Sequence, residues 1–132
     1  MRILYAFNCE QAEPRPDGRL DIHGVFHELY APGFPAAYEM VFVLGIEWDT
    51  EGPGRRDFKV DLNDPSGSPS LTIQGHTDVT ERRPSSPPPR TVLVLPIEDV
   101  RFPSAGTYLF QLRIGDDVTA LAPLHLIEDP GV

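Results

Sequence analysis

A second cysteine is missing from this 132-residue chain, so no internal disulfide can form. Cys9 falls in an apolar alternation that suits a small buried thiol, and an oxidising compartment has no support. Long apolar runs are missing as well. The N-terminal run from Ile3 to Phe7 is followed by Asn8 and Glu10. It is too short for a signal peptide core, and nothing later approaches the ~18 apolar residues of a membrane span. The expectation is a soluble, cytoplasmic protein with no membrane partner. Basic charge is in short supply, with 11 Lys and Arg against 20 Asp and Glu and a formal charge of -9. Such a surface repels phosphate backbones, so nucleic acid is not an expected partner either.

Motifs that carry chemistry are scarce. No glycine-rich loop leads from a strand into a helix, and no Gly-x-Ser-x-Gly elbow occurs. Cys9 with His23, His27, His76 or His125 would make a thiolate pair only if it were exposed, and its parity with Ile3, Tyr5 and Phe7 makes it an inert core residue. His23 and His27 share a strand parity but stand ~13 Å apart at about 3.3 Å per residue, too far for one zinc ion unless Gly24 bulges the chain. Asp49, Glu51, Asp61, Asn63, Asp64, Asp78, Asp116 and Asp117 fall in or near turns, where a β-sandwich holds calcium, yet Asp and Asn also favour turns for their own backbone hydrogen bonds. The sequence therefore leads to no catalytic residue, no metal ligand and no cofactor.

What the chain does have is alternation. Its 15 prolines and 11 glycines, with 40% apolar residues, fit many short strands separated by turns, and neither an amphipathic helix nor an internal repeat is visible. Eight strands are predicted: Arg2 to Glu10, Arg19 to Tyr30 with a bulge at Gly24, Tyr38 to Asp49, Arg55 to Asn63, Ser70 to Val79, Thr91 to Val100, Thr107 to Ile114 and Val118 to Ile127. The third is apolar on both faces and belongs at the centre of a sheet, covered on both sides. The sixth is also apolar on both faces, with Pro96 marking a bulge or an edge. Residues 81–90, ERRPSSPPPR, have no apolar side chain apart from the prolines and form an exposed loop. Its Pro84-Ser85-Ser86-Pro87 fits the minimal PxxP pattern, though a plain connection explains it as well. The whole predicts one domain over residues 1–132, an all-β, two-layer antiparallel β-sandwich.

The segment FPSAGTYLFQLRIGDD, residues 102–117, resembles the corner before a late strand of immunoglobulin-like sandwiches, with Tyr108 as the anchoring tyrosine. The paired cysteines and intervening tryptophan of true immunoglobulin domains are absent. Together, DGRLDIHGVFHELYAPGFPA (residues 17–36), the strand ending in Glu47-Trp48, the Asp64-Pro65-x-Gly67 turn and the FPxxGxYxFxLxxG stretch resemble an uncharacterised bacterial family of unknown function. That resemblance implies a small stand-alone β-sandwich of immunoglobulin-like or related topology, and it carries over no substrate or site residue.

The connection Tyr30-Ala31-Pro32-Gly33-Phe34-Pro35-Ala36-Ala37-Tyr38 is unusually apolar for a loop. Either Phe34 plugs one end of the sandwich, or Tyr30, Phe34 and Tyr38 form an aromatic contact patch. The function expected is a non-enzymatic protein-interaction or assembly module, acting on a protein partner or on a second copy of itself. A small-ligand-binding sandwich, taking calcium or a carbohydrate on end-loop carboxylates and aromatics, is the alternative.

Overall fold

Period-two alternation gives each strand two faces, and burying one apolar face against another is what assembles the sheets. The computed structural model describes residues 1–132. It has nine strands and no helix: β1 (Arg2–Pro14), β2 (Leu20–Phe26), β3 (Glu28–Ala31), β4 (Ala36–Glu47), β5 (Gly54–Asn63), β6 (Pro69–Val79), β7 (Arg90–Phe102), β8 (Gly106–Ile114) and β9 (Asp117–Glu128). Sheet A has the order β2-β1-β4-β7 and sheet B the order β3-β9-β8-β5-β6. Every pairing is antiparallel except that of β3 with β9, which is parallel. The architecture is the expected two-layer sandwich. In it β1-β4-β7 faces β9-β8-β5-β6, the arrangement in which strands A-B-E face G-F-C-C′ in immunoglobulin-like sandwiches.

The core lies between the sheets. Phe42 of β4 stacks on Phe110 of β8 with ring centroids 4.0 Å apart, and Phe102 meets Tyr108 edge-on at 4.9 Å. Met40, Leu44, Ile46, Val60, Leu62, Leu112 and Leu124 fill the space around them. At one end the buried Trp48 donates its indole N–H to Thr91 Oγ1 at 2.9 Å, and Thr91 lies 3.3 Å from Thr77 of the opposite sheet. At the corner before β8, the buried Tyr108 hydroxyl donates to the Ser104 carbonyl at 2.9 Å, as the corner motif requires. Gly106 makes that corner possible: its φ is +138°, and a Cβ there would stand 2.7 Å from Pro65.

The strand expected from Arg19 to Tyr30 is two strands rather than one, which makes nine in all. β2 ends at Phe26 in sheet A, the His27 carbonyl accepts the His125 amide, and β3 continues in sheet B. An extended chain keeps its alternation while it changes partners, so the sequence pattern does not mark the crossing. His23 and His27 thus belong to different sides of that crossing instead of one strand face.

A second correction concerns β1. A register shift between Ile3 and Tyr5 leaves Leu4 as an extra residue. Ile3 packs on the core opposite Ile46, while Tyr5, Phe7 and Cys9 pair with Gly45, Val43 and Val41 on the outer face of sheet A. Cys9 is fully buried as expected, but away from the core between the sheets. The expectations for β4 and β7 hold. Val43 on the outer side of β4 is as buried as Phe42 on the inner side, and β7 with Pro96 is an edge strand.

Candidate functional site

The predicted contact patch divides. Phe34 and Tyr38 are half-buried and pack against the core, Tyr38 with its ring 6.1 Å from Phe102. The Tyr38 hydroxyl donates to the Tyr30 carbonyl at 2.7 Å. In the parallel β3–β9 ladder the His27 and Ala31 carbonyls turn towards β9. By alternation the Tyr30 carbonyl turns outward, so Tyr38 occupies an acceptor on the open edge of sheet B. Only the Tyr30 ring is presented to solvent, at 44% exposure. Its phenol is held above the ordinary value by the neighbouring Glu28 carboxylate.

Four of the end-loop carboxylates are engaged locally. Asp49 and Glu51 hold the Met1 amine at 2.8 and 2.6 Å. Asp61 accepts from the Thr72 hydroxyl, and Asp64 accepts from Ser66 and Ser68 within its own turn. No three His, Cys, Asp or Glu side chains converge in a geometry suited to a metal ion. Cys9 Sγ lies 3.6 Å from the Val41 carbonyl, and burial pushes its thiol up. His125 bonds to Thr107 at 3.0 Å, and His76 stands opposite Asp57.

The most apolar concavity was not foreseen. On the outer face of sheet A, direct cross-strand neighbours form four rows: Arg2, Glu47 and Arg90; Tyr5, Gly45 and Val92; Phe7, Val43 and Val94; Cys9, Val41 and Pro96. The first row is an ion-pair triad, with the buried Glu47 carboxylate held by Arg2 at 2.8 Å and Arg90 at 3.3 Å. The next two rows are apolar. Gly45 has no side chain because the Tyr5 ring lies over it, and a Cβ there would stand 2.5 Å from the ring.

The hairpin of β1 and β2 partly roofs these rows, leaving Tyr5 and Val92 exposed. Tyr5 and Pro14 are nine residues apart on β1, ~30 Å at about 3.3 Å per residue if the strand ran straight. Yet Tyr5, Phe7, Val92 and Val94 line one groove of about 570 Å³ together with Pro14, Leu20 and Ile22 of the hairpin. The outer half of β1, which pairs with β2 alone, therefore bends towards these rows. The β1–β2 register runs from Cys9–Val25 to Gln11–His23 without an extra residue, so the bulge expected at Gly24 is absent, although φ there is +66° and a Cβ would lie 2.6 Å from the Glu10 carboxyl carbon. Arg15 and Arg19 stand on the hairpin around its tip and complete the lining. One signal for this groove was in the sequence. Strands apolar on both faces need two covers, and the second layer supplies only one.

A model of DUF6941, a family of unknown function, matches residues 4–127. No curated protein matches the chain. The family model spans nearly all nine strands, the hairpin included, and the chain belongs to the DUF6941 family of unknown function.

Proposed function

We propose that this chain is a non-enzymatic protein-interaction or assembly module of the bacterial cytoplasm, and that its contact surface is the outer face of sheet A. One observation carries the reading: Tyr5, Val25 and Val92 remain 36%, 51% and 44% exposed on that face, although neighbouring rows are apolar. A solvated sheet face alternates apolar-in with polar-out, whereas an apolar outer face marks a surface that is covered in use. Tyr30 on the edge of sheet B is a lesser candidate, because a single ring beside Glu28 offers little continuous apolar area. The lone buried thiol supports a reducing compartment, and the family resemblance supports the bacterial setting.

The test compares the full chain with Val92→Asp and Tyr30→Ser, both surface changes that leave the core intact. Self-association is read by sedimentation velocity, and partner contact by cross-linking with mapping of the linked residues. Loss of association in Val92→Asp alone supports the sheet A face. Loss in Tyr30→Ser alone moves the contact to the edge of sheet B, and no loss in either removes the interaction reading.

A further inference from the structure

The groove under the hairpin shares Tyr5 and Val92 with the proposed contact face. Its volume of about 570 Å³ falls within the ~300–1,000 Å³ of small-molecule sites. The wall chemistry is selective. Tyr5, Phe7, Leu20, Ile22, Val92 and Val94 are apolar, and the only charged residues in the lining are two arginines, in a chain whose acids outnumber its bases 20 to 11. Those arginines are not equivalent. Arg15 is committed to Asp17 at 3.0 Å and to Asp21 at 3.8 Å. The Arg19 guanidinium has no carboxylate within ion-pairing distance, although its own backbone N–H is bonded to Asp17. A free guanidinium beside an apolar trough provides one charged contact and one desolvated contact for the same ligand.

We propose that this groove binds a small anionic amphiphile, a soluble aliphatic carboxylate whose tail lies along Tyr5, Phe7 and Val94 and whose head group pairs with Arg19. The net charge of -9 opposes an anionic membrane. The occupant is thus a dissolved molecule. This site does not depend on the protein contact proposed above, since its occupancy is read on the chain alone.

The experiment is an amide-resolved NMR titration of the full chain with octanoate, and in parallel with 1-octanol, which has the same chain length and no charge. Saturable shifts centred on residues 5–7, 18–22 and 92–94 are expected, with octanoate binding more tightly than the alcohol. Arg19→Gln should weaken octanoate about tenfold, the loss of one charge-assisted contact, and leave 1-octanol unchanged. Ile22→Asp, which places a charge in the roof, should abolish both, and its amide spectrum reports whether the sandwich stays folded. Non-saturable shifts, shifts centred elsewhere, or equal octanoate affinity in wild type and Arg19→Gln overturn the proposal.

Discussion

Two buried polar side chains in this molecule face opposite energetic situations. Tyr108 is completely buried with its hydroxyl donating to Ser104, whereas Asn8 is equally buried and its Oδ1 has no partner. Removing a satisfied group loses its bond and leaves the partner carbonyl orphaned, at about 1–2 kcal/mol. Removing an unsatisfied one deletes a desolvation penalty. Tyr108→Phe should therefore lower the unfolding free energy in urea by about 1–2 kcal/mol, with the slope of the transition unchanged. Asn8→Val should be neutral or stabilising. A loss for Asn8→Val as large as that for Tyr108→Phe would show that the amide is bonded in solution. The residue scale is also where the sequence was most legible. Tyr108 was identified from the resemblance of FPSAGTYLFQLRIGDD, because the corner is a local device whose parts lie close together in sequence. Asn8 offered no such clue, since its partners would come from another strand.

At the scale of elements, the turn between β5 and β6 is built around one carboxylate. Asp64 accepts from the Ser66 hydroxyl and from the Ser66 and Ser68 amides, and the Gly67 amide closes the turn on the Asp64 carbonyl. The Ser66 hydroxyl first, and then these amides, hold its carboxyl below the ordinary value of 3.8. A depressed folded value means that the ionised form favours folding, so the contribution is complete above the unfolded pKa and is lost as pH falls through the folded one. Asp64→Ala should melt below wild type at neutral pH, and the gap should narrow below about pH 4 and close in stronger acid. A gap that stays constant down to that acid limit would show that the carboxylate is not what holds the turn. This hairpin was read correctly from Asp64-Pro65-Ser66-Gly67, whereas β2 and β3 were read as one strand. A turn announces itself through φ-specific residues, but the crossing at His27 is an extended step whose cause lies in the amide of His125, nearly a hundred residues away. The face change in β1 escaped for the same reason. One extra residue at Leu4 reverses parity without altering the apolar pattern, and it moved Tyr5, Phe7 and Cys9 from the expected core to the surface on which the groove is built.

For the whole molecule, these displacements produce two apolar compartments that are held in different ways. The one between the sheets is sealed by strands from both layers and is crossed by the Phe42–Phe110 stack. The other, outside sheet A, is roofed by a hairpin whose outer half pairs with nothing beyond itself. An isolated two-stranded ribbon is marginal in water, so the hairpin should open well before the sandwich unfolds. Cys9 is a natural reporter of that event. It stands at the root of the hairpin between Val25 and Val41, outside the inter-sheet core, and it is the only thiol in the chain. Burial both shields the sulfur and pushes its thiol up, so the folded state should react slowly with a thiol reagent. If the compartments are independent, the opening free energy obtained from Cys9 labelling will be smaller than the global unfolding free energy, while the amides of Phe42 and Leu112 exchange with hydrogen only through global unfolding. Equal values at all three positions would mean that the hairpin and sandwich unfold as one cooperative unit, and the groove would then be a rigid part of the fold. A smaller value at Cys9 makes the roof a lid, and a ligand held beneath it would slow Cys9 labelling in proportion to its occupancy while leaving unliganded chains unaffected.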